Sequence, residues 1–413
     1  MAGKRILILT NHFYPENFRV NDIAFELAEN NFDVTVLTGI PNYPQGKFYK
    51  GYGLLKKRKE TIKNVKVIRV PLIPRGKDSL FMLSLNYASY TLFLLIWSFF
   101  LALFRRFDLV LVHHTSPIFL GLSAVLVKSM QKIKMYFWNL DLWPESVSET
   151  TGFNVSFLMK GLEKIVRFIY QKSDKILISS KAFRSSIMSK GVDERKIIYF
   201  PNWAEDVFLQ NKFSDVNLTN HKIDKDSLKI MFAGNIGAAQ DMENVMNAIE
   251  LTSKEKHPIS WLFVGEGRKL DWIKNRVREL NLEKNVFFLG QHPVVLMPSY
   301  FQLADVMLIS LMNEKIFSLT APAKIQAYMS FSKPIIAMVN GEGANIITEA
   351  KCGIVSDAGD ASSLAQNALL FAQMNIQERE EMGKNGYKYY QTYFSKEKAL
   401  SKLIDLINNK SVN

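Results

Sequence analysis

The chain has a single cysteine, Cys352, among its 413 residues. One cysteine excludes an intramolecular disulfide and a cysteine-rich metal site, and it fits a reducing compartment. The amino terminus also lacks the apolar length and the small-residue cleavage site of a signal peptide. We therefore expect a cytoplasmic location.

The stretch from Ser79 to Phe104 contains no charged residue and is mostly apolar. It is long enough to span a bilayer, because about 20 apolar helical residues suffice. A crossing would separate three predicted strands from their sheet and leave exposed sheet edges, whereas a plain core helix need not be apolar all round. Asn86 and Tyr90 suit an interface better than hydrocarbon. Both alternatives stay open, but we predict a helix partly packed on the sheet and partly dipped in the membrane.

Acidic residues are scarce in the first half of the chain. Residues 1–200 hold 29 Lys/Arg and 15 Asp/Glu, whereas residues 201–413 hold 23 and 24, so the net charge of +13 belongs to the first half. Each basic residue near anionic lipid contributes about 1 kcal/mol, so we expect a membrane surface as partner rather than nucleic acid. A solvated face without a partner is the alternative. The predicted membrane contacts are Trp97, Phe99, Phe100, Arg105 and Arg106.

Short apolar runs alternate with helical segments along the whole chain. In the first half the predicted strands are Arg5–Thr10, Asp33–Thr38, Val65–Val70, Asp108–His113, Lys134–Trp138 and Lys175–Ser179. In the second half they are Lys229–Ala233, Trp261–Val264, Val286–Leu289, Val306–Ser310, Pro334–Met338 and Gly353–Ser356. This alternation predicts an α/β protein with two Rossmann-like domains, whose parallel sheets face each other across a cleft.

The domain boundaries follow from composition. We place a basic, membrane-associated domain at residues 1–203, a polar linker at 204–227 and a second α/β domain at 228–390. Residues 391–413 are predicted to form a helix that crosses back to the first domain. In such sheets, ligands bind at the carboxyl ends of the strands.

Two glycine-rich loops follow strands of the second half. FAGNIGAAQ places Gly234, Asn235 and Gly237 between a strand and a helix, where backbone amides can face a diphosphate. FVGEG repeats this arrangement with Gly265 and Gly267. A strand-to-helix turn often needs glycine in any case, so each loop alone is a weak signal.

The segment SLTAPAKIQAYM, which begins at Ser318, is more specific. Its Lys324 lies near the amino terminus of a predicted helix, where the helix dipole disfavours a cation. Neutralising a bound phosphate would explain this placement, and a solvated surface lysine is the alternative. Ser318, Thr320 and Pro322 are assigned with Lys324 to the same donor site.

The chain resembles the retaining GT-B glycosyltransferases of sequence family 4, in the branch of the WbuB and WcaI proteins of O-antigen, capsule and colanic acid assembly. The motifs that carry the resemblance occur in the family's order and cover nearly the whole chain. They are YPENFRVNDIAFELA, TGIPNYPQGKFYKGY, DLWPES, PNWAE, FAGNIGAAQ, FVGEG and PAKIQAYMSFSKP. The resemblance implies a nucleotide-sugar glycosyltransferase that works without a metal ion or other cofactor.

The resemblance also implies that residues 1–203 bind the acceptor and that residues 228–390 bind the nucleotide-sugar donor. Asn17 and Arg19 follow the first strand and are candidates for phosphate or acceptor contact, as is His114. Asp141 and Glu145 in DLWPES are candidate catalytic carboxylates, together with Lys324 in the second half. They could orient acceptor hydroxyls or act as a base, whereas a helix cap plus a turn is the alternative.

Several departures from the family pattern stand out. Many members carry two glutamates eight residues apart, and the corresponding positions here are Leu319 and Ala327. An Arg and a Lys that commonly follow the first glycine loop are replaced by Asn235 and Gln240. The diphosphate therefore needs another cation, and Lys324 is the candidate.

The implied reaction moves a sugar from a UDP-sugar to an undecaprenyl-diphosphate-linked saccharide with retention of configuration. The branch suggests N-acetyl-L-fucosamine, on the cytoplasmic face of the bacterial inner membrane, with the protein bound peripherally or monotopically. Two other readings stay open, a nucleotide-sugar 2-epimerase and a non-catalytic membrane-docked sugar-binding protein. The oligomeric state stays open as well.

Overall fold

The chain folds into two compact units. Unit 1 comprises Met1–Pro201 together with Ala399–Asn413, and unit 2 comprises Asn202–Lys398. The structure is a computed structural model, and it describes residues 3–76, 79–147, 156–210, 213–214, 216 and 223–410.

Unit 1 is built on an eight-stranded sheet. Its strands are β1 (Arg5–Thr10), β2 (Asp33–Gly39), β3 (Lys59–Ile62), β4 (Val65–Val70), β5 (Leu109–His114), β6 (Lys134–Asn139), β7 (Lys175–Ile178) and β8 (Ile197–Tyr199). Their order across the sheet is β3-β4-β2-β1-β5-β6-β7-β8. All neighbours pair in parallel except β3 and β4. The central strands are buried along nearly their whole length, as expected for a sheet covered on both faces.

Two strands of this sheet extend the sequence prediction. The antiparallel edge strand β3 is polar and only partly buried, so it lacks the apolar run of a parallel strand. The strand β8 has three residues and pairs with β7, so Lys175–Ser179 is not the last strand of the sheet, contrary to the prediction. Neither strand has the apolar length on which strand recognition depends.

Five helices accompany the sheet within the described residues of Met1–Pro201. They are α1 (Arg19–Glu29), α2 (Leu80–Phe104), α3 (Leu120–Gln131), α4 (Ser156–Lys172) and α5 (Phe183–Ser189). The prediction of a helix at 153–173 falls partly outside the described residues, because 148–155 are not described.

The helix α2 packs by a narrow face on α3, β2 and β4. Its buried residues recur every four positions and are Asn86, Tyr90, Leu94, Ser98 and Ala102. Asn86 and Tyr90 therefore point into the protein, contrary to the prediction, and the Asn86 amide donates to the Ile73 carbonyl over 2.6 Å. The helix is long and apolar enough to cross a membrane. Only 22% of the residues in its most apolar window are buried, so the protein leaves most of this window uncovered.

Unit 2 is built on a six-stranded parallel sheet. Its strands are β9 (Leu228–Ala233), β10 (Ile259–Val264), β11 (Val286–Gly290), β12 (Val306–Ser310), β13 (Ile335–Met338) and β14 (Gly353–Ser356). They lie in the order β11-β10-β9-β12-β13-β14, and every pair is parallel. All six strands were predicted from their apolar runs, with bounds that differ by two residues or fewer.

The helices of unit 2 cover both faces of its sheet. They are α6 (Met242–Thr252), α7 (Leu270–Glu279), α8 (Met297–Leu303), α9 (Lys315–Leu319), α10 (Ala323–Ser330), α11 (Glu342–Glu349), α12 (Ala361–Gln373) and α13 (Ile376–Tyr393). The buried core on one face includes Phe232, Trp261 and Phe371. Of the predicted linker 204–227, Phe208 is buried and stacks on Phe301 of α8 at 5.1 Å.

A last helix, α14 (Lys396–Ile407), carries the chain back to unit 1. The Tyr136 hydroxyl on β6 donates to the Leu406 carbonyl over 3.0 Å, and the Lys4 ammonium donates to the Ile407 carbonyl over 2.6 Å. Both contacts lie within unit 1, so residues from the two ends of the chain meet beside its sheet.

Candidate active site

Gly234 and Lys324 come together at the carboxyl end of β9. Gly234 follows the strand with a φ of +129°, a backbone conformation that favours glycine. A β-carbon at Gly234 would lie 3.0 Å from the Lys324 Cε and 3.4 Å from its Nζ. The glycine therefore leaves the space that the lysine side chain occupies, and the two predicted donor residues are neighbours.

Lys324 has an unusual environment for a cation. It is half-buried in the first turn of α10, and its Nζ lies 3.5 Å from the centre of the Phe232 ring. Among the described residues no carboxylate and no hydrogen-bond acceptor pairs with this ammonium. Burial lowers the pKa of the Lys324 amine from its usual value to about 7. An anion beside it would supply the missing partner.

Tyr328 holds α10 against β9. Its hydroxyl lies 3.3 Å from both the amide nitrogen and the carbonyl oxygen of Ala233, the last residue of the strand. Tyr328 is one helical turn beyond Lys324, so this contact fixes the lysine relative to Gly234. Ala327, at one of the missing glutamate positions, is buried beside Tyr328.

The two glycine loops pack directly on each other. A β-carbon at Gly265 would lie 2.0 Å from the Gly234 carbonyl oxygen, and one at Gly267 would lie 2.2 Å from the Ile236 carbonyl oxygen. The Ile236 amide donates to the Glu266 carbonyl over 2.8 Å. Gly265 and Gly267 are thus required for contact between the loops, which explains them without a ligand. Their assignment to the donor site stays a prediction.

The first loop is exposed at Gly234 and Asn235 and braced behind them. The Gly237 amide donates to the Gln240 side-chain oxygen over 2.9 Å, and the Ser310 hydroxyl donates to the Gln240 carbonyl over 2.6 Å. Gln240 therefore supports the loop and does not replace a cation. The exposed polar side chain of Asn235 is the one nearest Gly234 in this loop.

The third predicted segment lies next to α11. A β-carbon at Gly341 would lie 2.0 Å from the Ser318 carbonyl oxygen. The Ser318 hydroxyl donates to Lys315 over 2.7 Å, and the Thr320 hydroxyl donates to Ile316 over 2.9 Å, both onto backbone carbonyls. Pro322 caps α10, one residue before the helix begins. The hydroxyls thus stabilise the short helix α9, which delivers the chain to Lys324.

Unit 1 has a histidine cluster at the ends of β1, β5 and β6. The His113 Nδ1 lies 2.9 Å from the Thr10 hydroxyl, and the His114 Nδ1 lies 2.8 Å from the Asn139 side-chain oxygen. Burial, with two neighbouring histidines, lowers the pKa of His113 to about 3, and burial also lowers the pKa of His114. Both rings are neutral at physiological pH. His114 is fully buried, so a saccharide acceptor cannot contact it in this conformation.

At the end of β1, His12 and Glu16 form a pair that was not predicted from the sequence. The His12 Nδ1 lies 2.9 Å from the Glu16 carboxylate, whose other oxygen accepts from the backbone amides of Asn42 (2.8 Å) and Tyr43 (2.7 Å). The His12 ring stacks on Phe18 at 4.6 Å. The four-residue spacing of His12 and Glu16 directly after a strand is the signal that could have indicated this pair.

Asp141 and Glu145 bind different partners. The Asp141 carboxylate accepts from the Ser116 hydroxyl over 2.7 Å and from the Trp143 indole over 3.1 Å. The Glu145 carboxylate accepts from the Lys190 ammonium and the Ser186 hydroxyl, each over 2.6 Å. Burial alone would raise the pKa of Glu145, but these two hydrogen bonds hold it below its usual value. Glu145 is therefore part of an ion pair with the buried Lys190.

The other predicted residues lie on the surface or near it. Asn17 is exposed, and Arg19 is half-buried where α1 begins. On α2, Phe99 and Phe100 are exposed and Trp97 is half-buried. Arg105 and Arg106 are exposed directly after the helix.

Nothing in the described part of the chain gathers three or more potential metal ligands. An Asp-x-Asp triplet, Asp224–Asp226, does occur in the sequence. It forms a turn before β9, in which the Asp226 amide donates to the Asp224 carboxylate over 3.0 Å. The triplet thus lies at the amino end of the strand, at the end of the sheet away from Gly234.

Two family models match the chain. Residues 17–203 match the family described as "Glycosyl transferase 4-like domain", and residues 214–389 match "Glycosyl transferases group 1". The two matches together cover most of both units. The chain therefore joins a glycosyl transferase 4-like domain to a glycosyl transferases group 1 domain, which together place it in the GT4-like group 1 family of GT-B glycosyltransferases.

Two curated relatives are similar over most of their length. The probable glycosyltransferase WbjE of Pseudomonas aeruginosa is 27% identical over 267 residues, which cover 63% of this chain and 65% of WbjE. The putative colanic acid biosynthesis glycosyl transferase WcaI of Escherichia coli K12 is 24% identical over 299 residues, covering 69% and 71%. The chain thus spans less than two thirds of WbjE.

Solved structures share the fold at low identity. Sucrose-phosphate synthase from Thermosynechococcus elongatus has a TM-score of 0.74 at 15% identity, over 98% of both chains. HepE from Anabaena, solved with UDP, has a TM-score of 0.70 at 12% identity, over 98% of this chain and 100% of its own. WaaG, a lipopolysaccharide glycosyltransferase, has a TM-score of 0.67 at 14% identity over 97% and 99%. The predicted α/β fold with two Rossmann-like domains is confirmed.

Proposed function

We propose that this enzyme transfers a sugar from a UDP-sugar to a saccharide linked to undecaprenyl diphosphate, in the synthesis of a bacterial surface polysaccharide. The relatives WbjE and WcaI support the class of pathway, and HepE, solved with UDP, supports the class of donor. N-acetyl-L-fucosamine is the proposed donor sugar, as the resemblance implies.

The unpaired Lys324 ammonium carries the proposal for the donor site. It lies beside the exposed Gly234, on the Phe232 ring, in the first turn of α10. A diphosphate here would gain a cation, the helix amino terminus and the exposed Asn235 side chain of the glycine loop together. These groups would stabilise the leaving diphosphate as its negative charge develops.

The transfer step needs no base of its own under retention. The acceptor hydroxyl attacks the anomeric carbon from the face that the diphosphate leaves, and its proton passes to the leaving phosphate oxygen. Lys324 is the proposed cation for that charge in place of a metal ion. In unit 1, the paired groups around Asp141 and His12 are the proposed contacts for acceptor hydroxyls.

The exposed apolar face of α2 supports docking on a membrane. Its outward side chains include Leu92, Phe99, Phe100, Leu103 and Phe104, of which Phe104 is 81% exposed. A lipid-linked diphosphate stays at the headgroups, so an enzyme docked there meets its acceptor. The proposed location is the cytoplasmic face of the inner membrane, with α2 lying in the interface and Arg105 and Arg106 at the lipid phosphates.

The decisive experiment incubates the purified protein with a panel of UDP-sugars, with and without a lipid-diphosphate saccharide. Release of UDP that requires the acceptor, together with a lengthened saccharide in the mass spectrum, supports transfer. Conversion of a UDP-sugar to an epimer without acceptor would instead indicate a 2-epimerase. Binding without turnover for every sugar would indicate a non-catalytic sugar-binding protein. The anomeric configuration of the product tests retention.

A further inference from the structure

A tight turn before β3 carries two exposed leucines at its tip. Gly53 and Lys56 exchange two backbone hydrogen bonds of 3.3 and 3.2 Å, which place Leu54 and Leu55 between them. Leu54 is 53% exposed and Leu55 is 96% exposed. A soluble surface gains nothing from two adjacent leucines held out by a closed turn, because their apolar area stays in water.

Basic residues follow these leucines directly. Lys56, Lys57 and Lys59 are exposed, and none of them forms an ion pair or a side-chain hydrogen bond within the described residues. The Lys57 ammonium lies 5.1 Å from the centre of the Tyr52 ring. The turn therefore has an apolar tip with a ring of unpaired positive charge behind it.

Arg58 connects the turn to α2. Its Nη1 donates to the Leu54 carbonyl over 3.0 Å, and its Nε donates to the Arg69 carbonyl on β4. Its guanidinium lies 5.4 Å from the centre of the Trp97 ring on α2. One half-buried side chain thus fixes the turn against both the sheet edge and the apolar helix.

We propose that the segment Gly53–Lys59, which we call the leucine turn, is a second membrane-binding element that inserts into an anionic bilayer beside α2. Leu54 and Leu55 enter the acyl boundary, and the three lysines bind the lipid phosphates around them. The pairing of an apolar tip with a basic ring matches a bilayer surface, since nucleic acid would leave the leucines and the α2 face in water. The inference deepens the proposed membrane docking and rests on it.

The first test measures cosedimentation of the full chain with phosphatidylcholine vesicles, with and without phosphatidylglycerol. The variant Leu54→Ser/Leu55→Ser is expected to lower the partition coefficient about tenfold on either vesicle. Its control is Leu251→Ser/Leu370→Ser, which alters two leucines of unit 2 that are about half exposed, as Leu54 is. Equal partitioning of the two variants would overturn the proposal.

The second test separates charge from apolar contact. The variant Lys56→Gln/Lys57→Gln/Lys59→Gln is expected to lose at least about tenfold in partitioning on phosphatidylglycerol vesicles and little on phosphatidylcholine. The variant Lys225→Gln/Lys256→Gln/Lys284→Gln removes the same charge from exposed lysines of unit 2 and serves as the control. A similar loss in both variants would show that net charge alone matters, and it would overturn the role of the turn.

The third test probes insertion directly. Because Cys352 is buried, Leu55→Cys provides the accessible thiol for an environment-sensitive fluorophore. A blue shift on adding anionic vesicles, absent for a label at Leu251→Cys, supports insertion. A shift caused by nucleic acid and not by vesicles would overturn it. Wild-type protein that binds no vesicles would refute the docking proposal itself, whereas wild-type binding with an unshifted Leu55 label would refute only the leucine turn.

Discussion

The carboxyl ends of the two sheets differ in how their polar groups are satisfied. In unit 1, His113, Asp141 and Glu145 each have a hydrogen-bond partner at 2.6 to 2.9 Å. In unit 2, Lys324 has only the Phe232 ring, and no anion among the described residues. These three side chains of unit 1 therefore each have a partner, whereas Lys324 lacks a counter-ion.

This difference indicates that the two units have different roles in the proposed reaction. An unpaired, half-buried ammonium is costly, and its lowered pKa of about 7 records that cost. A bound diphosphate would remove the cost, so affinity for an anion is built into unit 2. In unit 1 the Glu145 charge is already balanced by Lys190, so the paired groups there are suited to hydrogen bonds with hydroxyls rather than to binding a further charge.

The largest expected effect comes from the contact between the glycine loops. Gly265→Ala would place a β-carbon 2.0 Å from the Gly234 carbonyl oxygen at a φ of +140°, so we expect destabilisation by roughly 3 kcal/mol. The control Gly161→Ala meets no atom within 4 Å on α4 and should stabilise by about 0.5–1 kcal/mol. Denaturant unfolding of both variants checks this, and equal midpoints would contradict the packing role.

The next effect tests the ion pair between Glu145 and Lys190 in unit 1. Glu145→Ala would leave the buried Lys190 ammonium without its carboxylate, so we expect a loss of about 2 kcal/mol in the free energy of unfolding. Asp141→Asn keeps an oxygen for Ser116 and Trp143 and should cost about 1 kcal/mol or less. Neither change should alter UDP affinity in calorimetry. A stable Glu145→Ala protein that has lost transfer would instead support the predicted catalytic role of Glu145.

A smaller effect sharpens the role of the space beside Lys324. Gly234→Ala would bring a methyl group 3.0 Å from the lysine Cε and displace the ammonium. We expect UDP affinity to fall about tenfold, measured by calorimetry at a temperature at which the variant remains folded. Unchanged affinity would show that the lysine adapts or that UDP binds elsewhere.

The smallest effect is a pH dependence of binding. Below pH 7 the Lys324 amine is already charged, whereas above it the amine is neutral and must take up a proton to pair with a diphosphate. UDP affinity should therefore be nearly flat below about pH 7 and fall by up to about tenfold per pH unit above it. Calorimetry at pH 8 in two buffers of different ionisation enthalpy measures the proton uptake. An equal uptake by wild type and Lys324→Ala would assign the proton to the nucleotide.

Apolar runs were sufficient to predict the fold and every parallel strand except β8. The strands Arg5–Thr10, Val65–Val70, Val306–Ser310 and Gly353–Ser356 have the predicted bounds. The polar edge strand β3 and the three-residue β8 carry too little apolar signal. The helix α2 is apolar all round, so its sequence did not indicate which face packs on the sheet. Packing selected the face with Asn86 and Ser98, which a hydropathy pattern cannot predict.

The candidate site was predictable only in part. The PAK motif located Lys324 at a helix start, but its contact with Phe232 depends on how α10 lies on β9 through Tyr328. Gly265 and Gly267 have the expected positions, yet the reason for glycine is contact between loops. The partners of Glu145 are Ser186 of α5 and Lys190 directly after it, some forty residues further along the chain, and local sequence carries no sign of them.

Calorimetric titration of UDP into wild type, Lys324→Ala and Lys256→Ala at pH 7 tests the central claim most directly. Lys256 is an exposed lysine of the same unit, outside the site. Loss of a charge-assisted contact of about 2 kcal/mol predicts that Lys324→Ala binds UDP about 30-fold more weakly, with Lys256→Ala unchanged. Equal dissociation constants for all three proteins would contradict the claim that unit 2 holds the donor through Lys324.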